Sequence, residues 1–193
     1  MDDVTGGTSG EGRDVAGAEG GKPLLVLLVS GVVLAADLLT KAWIQSRFHL
    51  GESVHVLGEW VRLTYVLNPG AAFGLHVGPY SRQLFAVLAL VAVAVIVLVM
   101  ARTPSAERAR LAALALVLGG AVGNLLDRLR ATGAVVDFLD VGLGTYRWPV
   151  FNVADMGVSI GAMLLVLLLW GEGPVEMPAV AAGEPPGSAE AVR

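Results

Sequence analysis

The chain has 193 residues, of which 55% are hydrophobic and only 16% charged, with a mean hydropathy of +0.70. That is too apolar for an ordinary soluble domain and implies an integral membrane protein. The formal net charge of −4 resides largely in the two ends and points to no partner, nucleic acid included; the lack of cysteine excludes disulfides, thiol nucleophiles and thiolate metal sites.

Residues 1–22 are Gly-rich and acidic, with Asp2, Asp3, Glu11, Asp14 and Glu19, unlike the basic start of a secretory signal peptide, and read as a disordered tail. An apolar segment then runs from Pro23 to Ile44 and is expected to be an uncleaved anchor. Three more follow at residues 84–101, 111–129 and 152–170. Each is near the roughly 20 residues that a helix needs to cross hydrocarbon. Trp43, Trp148 and Trp170 fall near segment ends, where amphipathic rings favour the membrane interface. Residues 172–193 hold four prolines and no periodicity and read as a second disordered tail. The expected fold is an all-α membrane protein, a four-transmembrane-helix bundle over residues 23–171, with a small extracytoplasmic β-sheet on the membrane surface.

The sheet is expected within residues 45–80. There Val61, Leu63, Tyr65 and Leu67 alternate with Trp60, Arg62, Thr64 and Val66, the period of a half-buried strand. The stretch before Gly58 is its hairpin partner, and Asn68-Pro69-Gly70 is a turn. Residues 130–150 read as a second outer loop carrying Asp137 and Asp140 among apolar neighbours. Arg102, Arg108 and Arg110 crowd the loop between the second and third helices, whereas Arg128, Arg130 and Arg147 lie at the other end. The denser group places both termini in the cytoplasm.

Ionisable groups at the edge of hydrocarbon are costly, so each is a candidate functional group to be weighed against a structural role. Asp37 and Lys41 stand four apart near the outer end of the first helix, in the favourable order for an ion pair. In "GGAVGNLLDRL", Asn124, Asp127 and Arg128 share a helix face, with Asp127 expected to pair with the adjoining Arg128. Gly119 and Gly123 allow close helix approach. In "FNVAD", Asn152 followed by Asp155 resembles a capping box, which explains that carboxylate cheaply. It does not explain Asp137 in the loop that feeds the same helix. If the two acids meet at the mouth of the bundle, they cannot both ionise freely and must share a proton. One is then a general base for water and the other an acid for a carbonyl oxygen, as in an aspartic protease.

Other chemistries fit less well. His49, His55 and His76 show no HExxH spacing for a zinc peptidase. The G-x-S-x-G match at Gly157–Gly161 lies inside an apolar helix, not on a strand-to-helix elbow, and reads as a packing surface. A transporter or proton relay would place charges near the bilayer midplane, and those here gather at segment ends. An inactive scaffold that binds without cutting stays open.

The segments "DLLTK", "NPGAAFG", "GGAVGNLLDRL", "VVDFLD" and "FNVAD", in that order, resemble the bacterial lipoprotein signal peptidase family, signal peptidase II. The resemblance implies an intramembrane aspartic endopeptidase of the bacterial cytoplasmic (inner) membrane, multi-pass, with its site facing the extracytoplasmic side. Such an enzyme cuts prolipoproteins before a diacylglyceryl-modified cysteine and releases the signal peptide. By resemblance Asp137 and Asp155 are the catalytic pair. Asp37, Lys41, Asn68, Gly70, Asn124, Asp127, Arg128, Asp140 and Asn152 occupy substrate-binding or supporting positions. No cofactor or metal is implied. Partners are diacylglyceryl-modified prolipoproteins, membrane lipids and globomycin-type inhibitors, with the chain acting as a monomer. Leu38 departs from the family's usual Gln.

Overall fold

The computed structural model describes residues 11–70, 78–130 and 132–171, with the side chains of the first helix described from residue 21 on. Four helices are present: α1 (Glu11–Arg47), α2 (Ser81–Arg102, after a 3₁₀ turn at Gly78–Tyr80), α3 (Arg108–Leu129) and α4 (Val153–Gly171). Each is long and apolar enough to span a membrane, α1 from Gly21 to Arg47. Helix α1 begins at Glu11, not at Pro23, so residues 11–22, read from sequence as tail, continue the helix and Pro23 lies inside it. Proline removes one backbone donor and so frees a single carbonyl a turn earlier, a local loss that the helix here bridges. The readings for residues 1–10 and 172–193 fall outside the described residues.

Helix α3 is the centre of the bundle and packs against the other three helices. Its buried residues include Leu111, Leu114, Gly119, Gly120, Gly123 and Asp127. Glycines set the spacing. A Cβ on Gly119 would press on Ser30 O and Val33 of α1, one on Gly120 on Ala154 O of α4, and one on Gly123 on Asp37 Oδ2. Helix α4 answers with Gly157, which faces Val33 and Leu116 O, and Gly161, which faces Ala113 O. Between helices with no hydrophobic drive to separate them from lipid, such close backbone approach supplies much of the packing attraction.

An antiparallel sheet lies across one end of the bundle, in the order β1 (Ser53–Leu57), β2 (Val61–Asn68), β3 (Val135–Leu143), β4 (Tyr146–Arg147). The β1–β2 hairpin is the one expected, turning at Gly58 with φ +53°. The second outer loop, for which no strand was read from the sequence, supplies β3 and β4. The run Val135-Val136 and Phe138-Leu139 pairs with β2 from Asn68↔Val135 to Val61↔Val141. Its strand character was hidden because Asp137 and Asp140 are three apart, which breaks any period of two. Between Leu63↔Leu139 and Val66↔Asp137 the register slips, with Thr64 and Tyr65 opposite Phe138. Such a bulge bends the strand and re-aims the side chains beside it. Phe138 and Leu139 donate instead to Phe151 O, at 3.0 and 2.7 Å, tying β3 to the start of α4.

Because Gly120 admits no Cβ without moving α4, Gly120→Ala is expected to cost about 1–3 kcal/mol. A lowered melting temperature in detergent is the check.

Candidate active site

Within the described side chains of α1 only Asp37, Lys41 and Ile44 are buried, so the helix presents a carboxylate and an ammonium to the core. Lys41 Nζ lies 2.7 Å from Asp37 Oδ2, 2.7 Å from Asp127 Oδ2 and 3.1 Å from Asn124 Oδ1. The Asn124 oxygen takes a hydrogen bond from this ammonium, and the two carboxylates face it as ion pairs. Lys41 and Asp37 are 0% exposed and Asp127 1%, so none of this charge is solvated by water.

Asp127 does not pair with Arg128 as the sequence suggested. Neighbours in sequence point to different sides of a helix, whereas residues three apart share one. Asp127 Oδ1 accordingly meets Arg130 Nη1 at 2.9 Å, and Oδ2 also accepts the Val136 N–H at 3.3 Å. Arg128 turns the other way and donates to Asn124 O (3.0 Å) and Gly70 O (3.3 Å).

The start of α4 is held twice. Asp155 N–H donates to Asn152 Oδ1 (2.9 Å) while Asn152 N–H donates to Asp155 Oδ2 (3.2 Å), the reciprocal pattern of a capping box. The Ala154 N–H, another donor without a helical acceptor, goes to Asp37 Oδ1 at 2.9 Å, so a carboxylate of α1 caps α4.

Asp137, on β3, is 3% exposed. Its Oδ2 accepts from Asn68 Nδ2 at 3.0 Å and its Oδ1 from Asn152 Nδ2 at 2.7 Å. The same Asn152 amide reaches Asn124 Oδ1 at 3.1 Å, and Asn124 Nδ2 donates to Asp155 Oδ1 at 2.7 Å. Two side-chain amides thus link the two acids, with Lys41 behind them on Asn124. Burial pushes the Asp137 carboxyl up from its ordinary value to about 6, and the negative charge of Asp155 adds to this. The donors Asn68 and Asn152 and the Lys41 charge oppose the rise.

Asp137 and Asp155 both line a groove of about 850 Å³, together with Asn68, Asn124 and Arg128 at the polar end. Trp148, Phe151, Met156 and Ile160 make the rest of the wall apolar. Arg128 also acts electrostatically on both acids. Gly70 reaches the site through its carbonyl on Arg128, and its N–H donates to Asn68 Oδ1 at 3.0 Å, which fixes that amide. Residues 71–77, the remainder of the "NPGAAFG" stretch, lie outside the described residues. Asp140 stands apart: its carboxylate is held by Arg147 Nε at 2.5 Å and Thr64 Oγ1 at 3.1 Å, and it does not line the groove.

The family model described as signal peptidase (SPase) II matches residues 29–171. This chain belongs to the signal peptidase II family. Among curated relatives, the lipoprotein signal peptidase of Moorella thermoacetica is 49% identical over 140 residues, covering 72% of this chain and 88% of the relative. That of Syntrophus aciditrophicus is 42% identical over 150 residues, covering 76% and 92%. A solved structure described as a bacterial membrane enzyme, obtained by the in meso method at 2.3 Å resolution, superposes with a TM-score of 0.69 at 29% identity. The match covers 76% of this chain and 87% of that one. As a signal peptidase II family member the chain is a membrane protease, and its fold is that of a solved membrane enzyme.

Sequence reasoning missed three contributors: Arg130 and Arg147, which hold Asp127 and Asp140, and Thr64 on the bulge. Arg147 was within reach of the sequence, because Gly142-Leu143-Gly144 marks a hairpin that folds it back beside Asp140.

Removing Lys41 strands two buried carboxylates. Lys41→Met is expected to cost about 3–5 kcal/mol. Adding Asp37→Asn, which keeps an oxygen for the Ala154 N–H but removes a charge, restores part of it. Melting temperatures of the two single variants and the double variant form the cycle that measures this.

Proposed function

We propose that the chain hydrolyses the peptide bond preceding a diacylglyceryl-modified cysteine in prolipoproteins, with Asp137 and Asp155 as its acid pair. What carries the reading is that both carboxylates open into the polar end of one groove whose other end is mostly apolar. A lipid-bearing substrate presents such a pairing, a polar scissile bond next to an acyl anchor.

The two acids sit in different environments. Asp137 is the more desolvated and holds a proton more readily; Asp155 is half-buried and accepts the Asn124 amide and the Asn152 N–H. Asp155 is therefore the base. It takes a proton from water as the water oxygen attacks the carbonyl carbon, while Asp137 gives its proton to the carbonyl oxygen. The resulting gem-diol collapses: the C–N bond breaks, the leaving nitrogen takes the proton from Asp155, and Asp137 recovers one from the diol. Asn68, Asn124 and Arg128 rim the groove and can bond to an extended substrate backbone. Asp37, Lys41, Asn152 and Asp127 hold the pair in place, and Asp140 secures the sheet.

The site is placed on the extracytoplasmic face of the bacterial cytoplasmic membrane. The short α2–α3 connection at the opposite end carries Arg102, Arg108 and Arg110 close together, the kind of basic loop that the positive-inside rule assigns to the cytoplasm. The chain acts as a monomer, and a globomycin-type cyclic peptide competes for the groove.

Asp137→Asn and Asp155→Asn should each abolish cleavage of a diacylglyceryl-modified precursor, followed as a gel shift; processing at wild-type speed by either variant sinks the assignment. Because the folded value of Asp137 lies above the unfolded one, its contribution to stability is full below about pH 4 and is lost as pH rises through about 6. Asp137→Asn is therefore expected to raise the melting temperature above pH 7, by the equivalent of about 3 kcal/mol. Asp127→Asn should lower it. Asn68→Ala removes a bond that favours ionised Asp137 and should move the alkaline limb of kcat/KM, which belongs to the pair, to higher pH.

A further inference from the structure

The end of the bundle away from the acids has its own cavity, of about 280 Å³, between the start of the α1 span and the α2–α3 connection. Lys22, Ser105 and Arg108 line it on the polar side, and Leu24, Leu25 and Leu28 continue it along α1; among the described residues no carboxylate lines it. Lys22 is fixed in position, donating to Thr103 O at 2.6 Å and Ala101 O at 3.3 Å, the last carbonyls of α2. Those bonds anchor the ammonium without neutralising it. Arg108 is exposed and makes no ion pair among the described residues, because the neighbouring Glu107 is taken by Arg110 at 2.7 Å. Arg108 is also the first residue of α3, where the helix dipole adds positive potential.

Two cations facing one cavity without a counter-charge repel each other unless an anion sits between them. The surroundings say which anion. Leu24 and Leu28 are 57% and 56% exposed on the first turns of a membrane span, so the apolar side of the cavity opens onto hydrocarbon while the cations lie at headgroup depth.

We propose that this cavity binds an anionic phospholipid of the leaflet opposite the active site, its phosphate between Lys22 and Arg108 and an acyl chain along Leu24, Leu25 and Leu28. The bound lipid bridges the start of α1 to the start of α3.

The test uses the full chain, delipidated in detergent, with lipid retention read by native mass spectrometry. Probes are dioleoyl phosphatidylglycerol, dioleoyl phosphatidylcholine and inorganic phosphate. Wild type should prefer phosphatidylglycerol over phosphatidylcholine, and Arg108→Gln should reduce that preference about fivefold, as expected for one basic side chain at a lipid surface. Ser105→Asp, which sets a carboxylate against the cations and removes no existing contact to either, should reduce it as well. Arg102→Gln, a cation outside the cavity, should leave it intact. Equal retention of the two lipids, or an undiminished preference in both Arg108→Gln and Ser105→Asp, overturns the proposal. So does displacement of the lipid by inorganic phosphate alone, which marks a site for free phosphate.

Discussion

The structure depends on one buried ammonium. Lys41 meets three oxygens, from Asp37, Asp127 and Asn124, and through them reaches every element of the site. Asp37 passes the connection to the first turn of α4, Asp127 to β3, and Asn124 to Asp155. A charge buried away from water is tolerable only when each partner is in place. The arrangement therefore has no half-formed version of similar energy, and helices that lipid alone would let slide are held in one register.

That rigidity lets two carboxylates be told apart. Asp137 comes from a strand and is enclosed; Asp155 comes from a helix start and is half-open to the groove. Side-chain amides, not further charges, join them. An amide donates to one acid and accepts from its neighbour without titrating, so Asn124 and Asn152 transmit position without changing charge. Close helix contacts at Gly120 and Gly123 bring α3 within reach, since any Cβ there would occupy the space of Ala154 O or Asp37.

Much of this was legible in the sequence. The four apolar segments fixed the bundle, the alternation over Val61–Leu67 the first hairpin, and the spacing of Asn152 and Asp155 the cap that the coordinates contain. Two readings were out of reach for physical reasons. Strand β3 is buried over Val135–Phe138, so its pattern carries no alternation, and its partner β2 lies some seventy residues earlier, beyond any local signal. The partner of Asp127 was misread because adjacency in sequence was taken for adjacency in space, whereas a helix brings together residues three apart and the bundle brings in Lys41 from another helix. The helical start at Glu11 was hidden by Pro23, whose usual place is a first turn.

The cap that Asp37 provides for α4 also bears on how the molecule is built. The first span to leave the ribosome carries a carboxylate and an ammonium whose remaining partners lie on the third and fourth spans. During biogenesis this pair must wait, hydrated or self-satisfied, until the fourth span arrives. The seat of Lys41 and the cap of α4 are thus completed only once the last span is in place, so the order of insertion is also the order in which these buried charges find their partners.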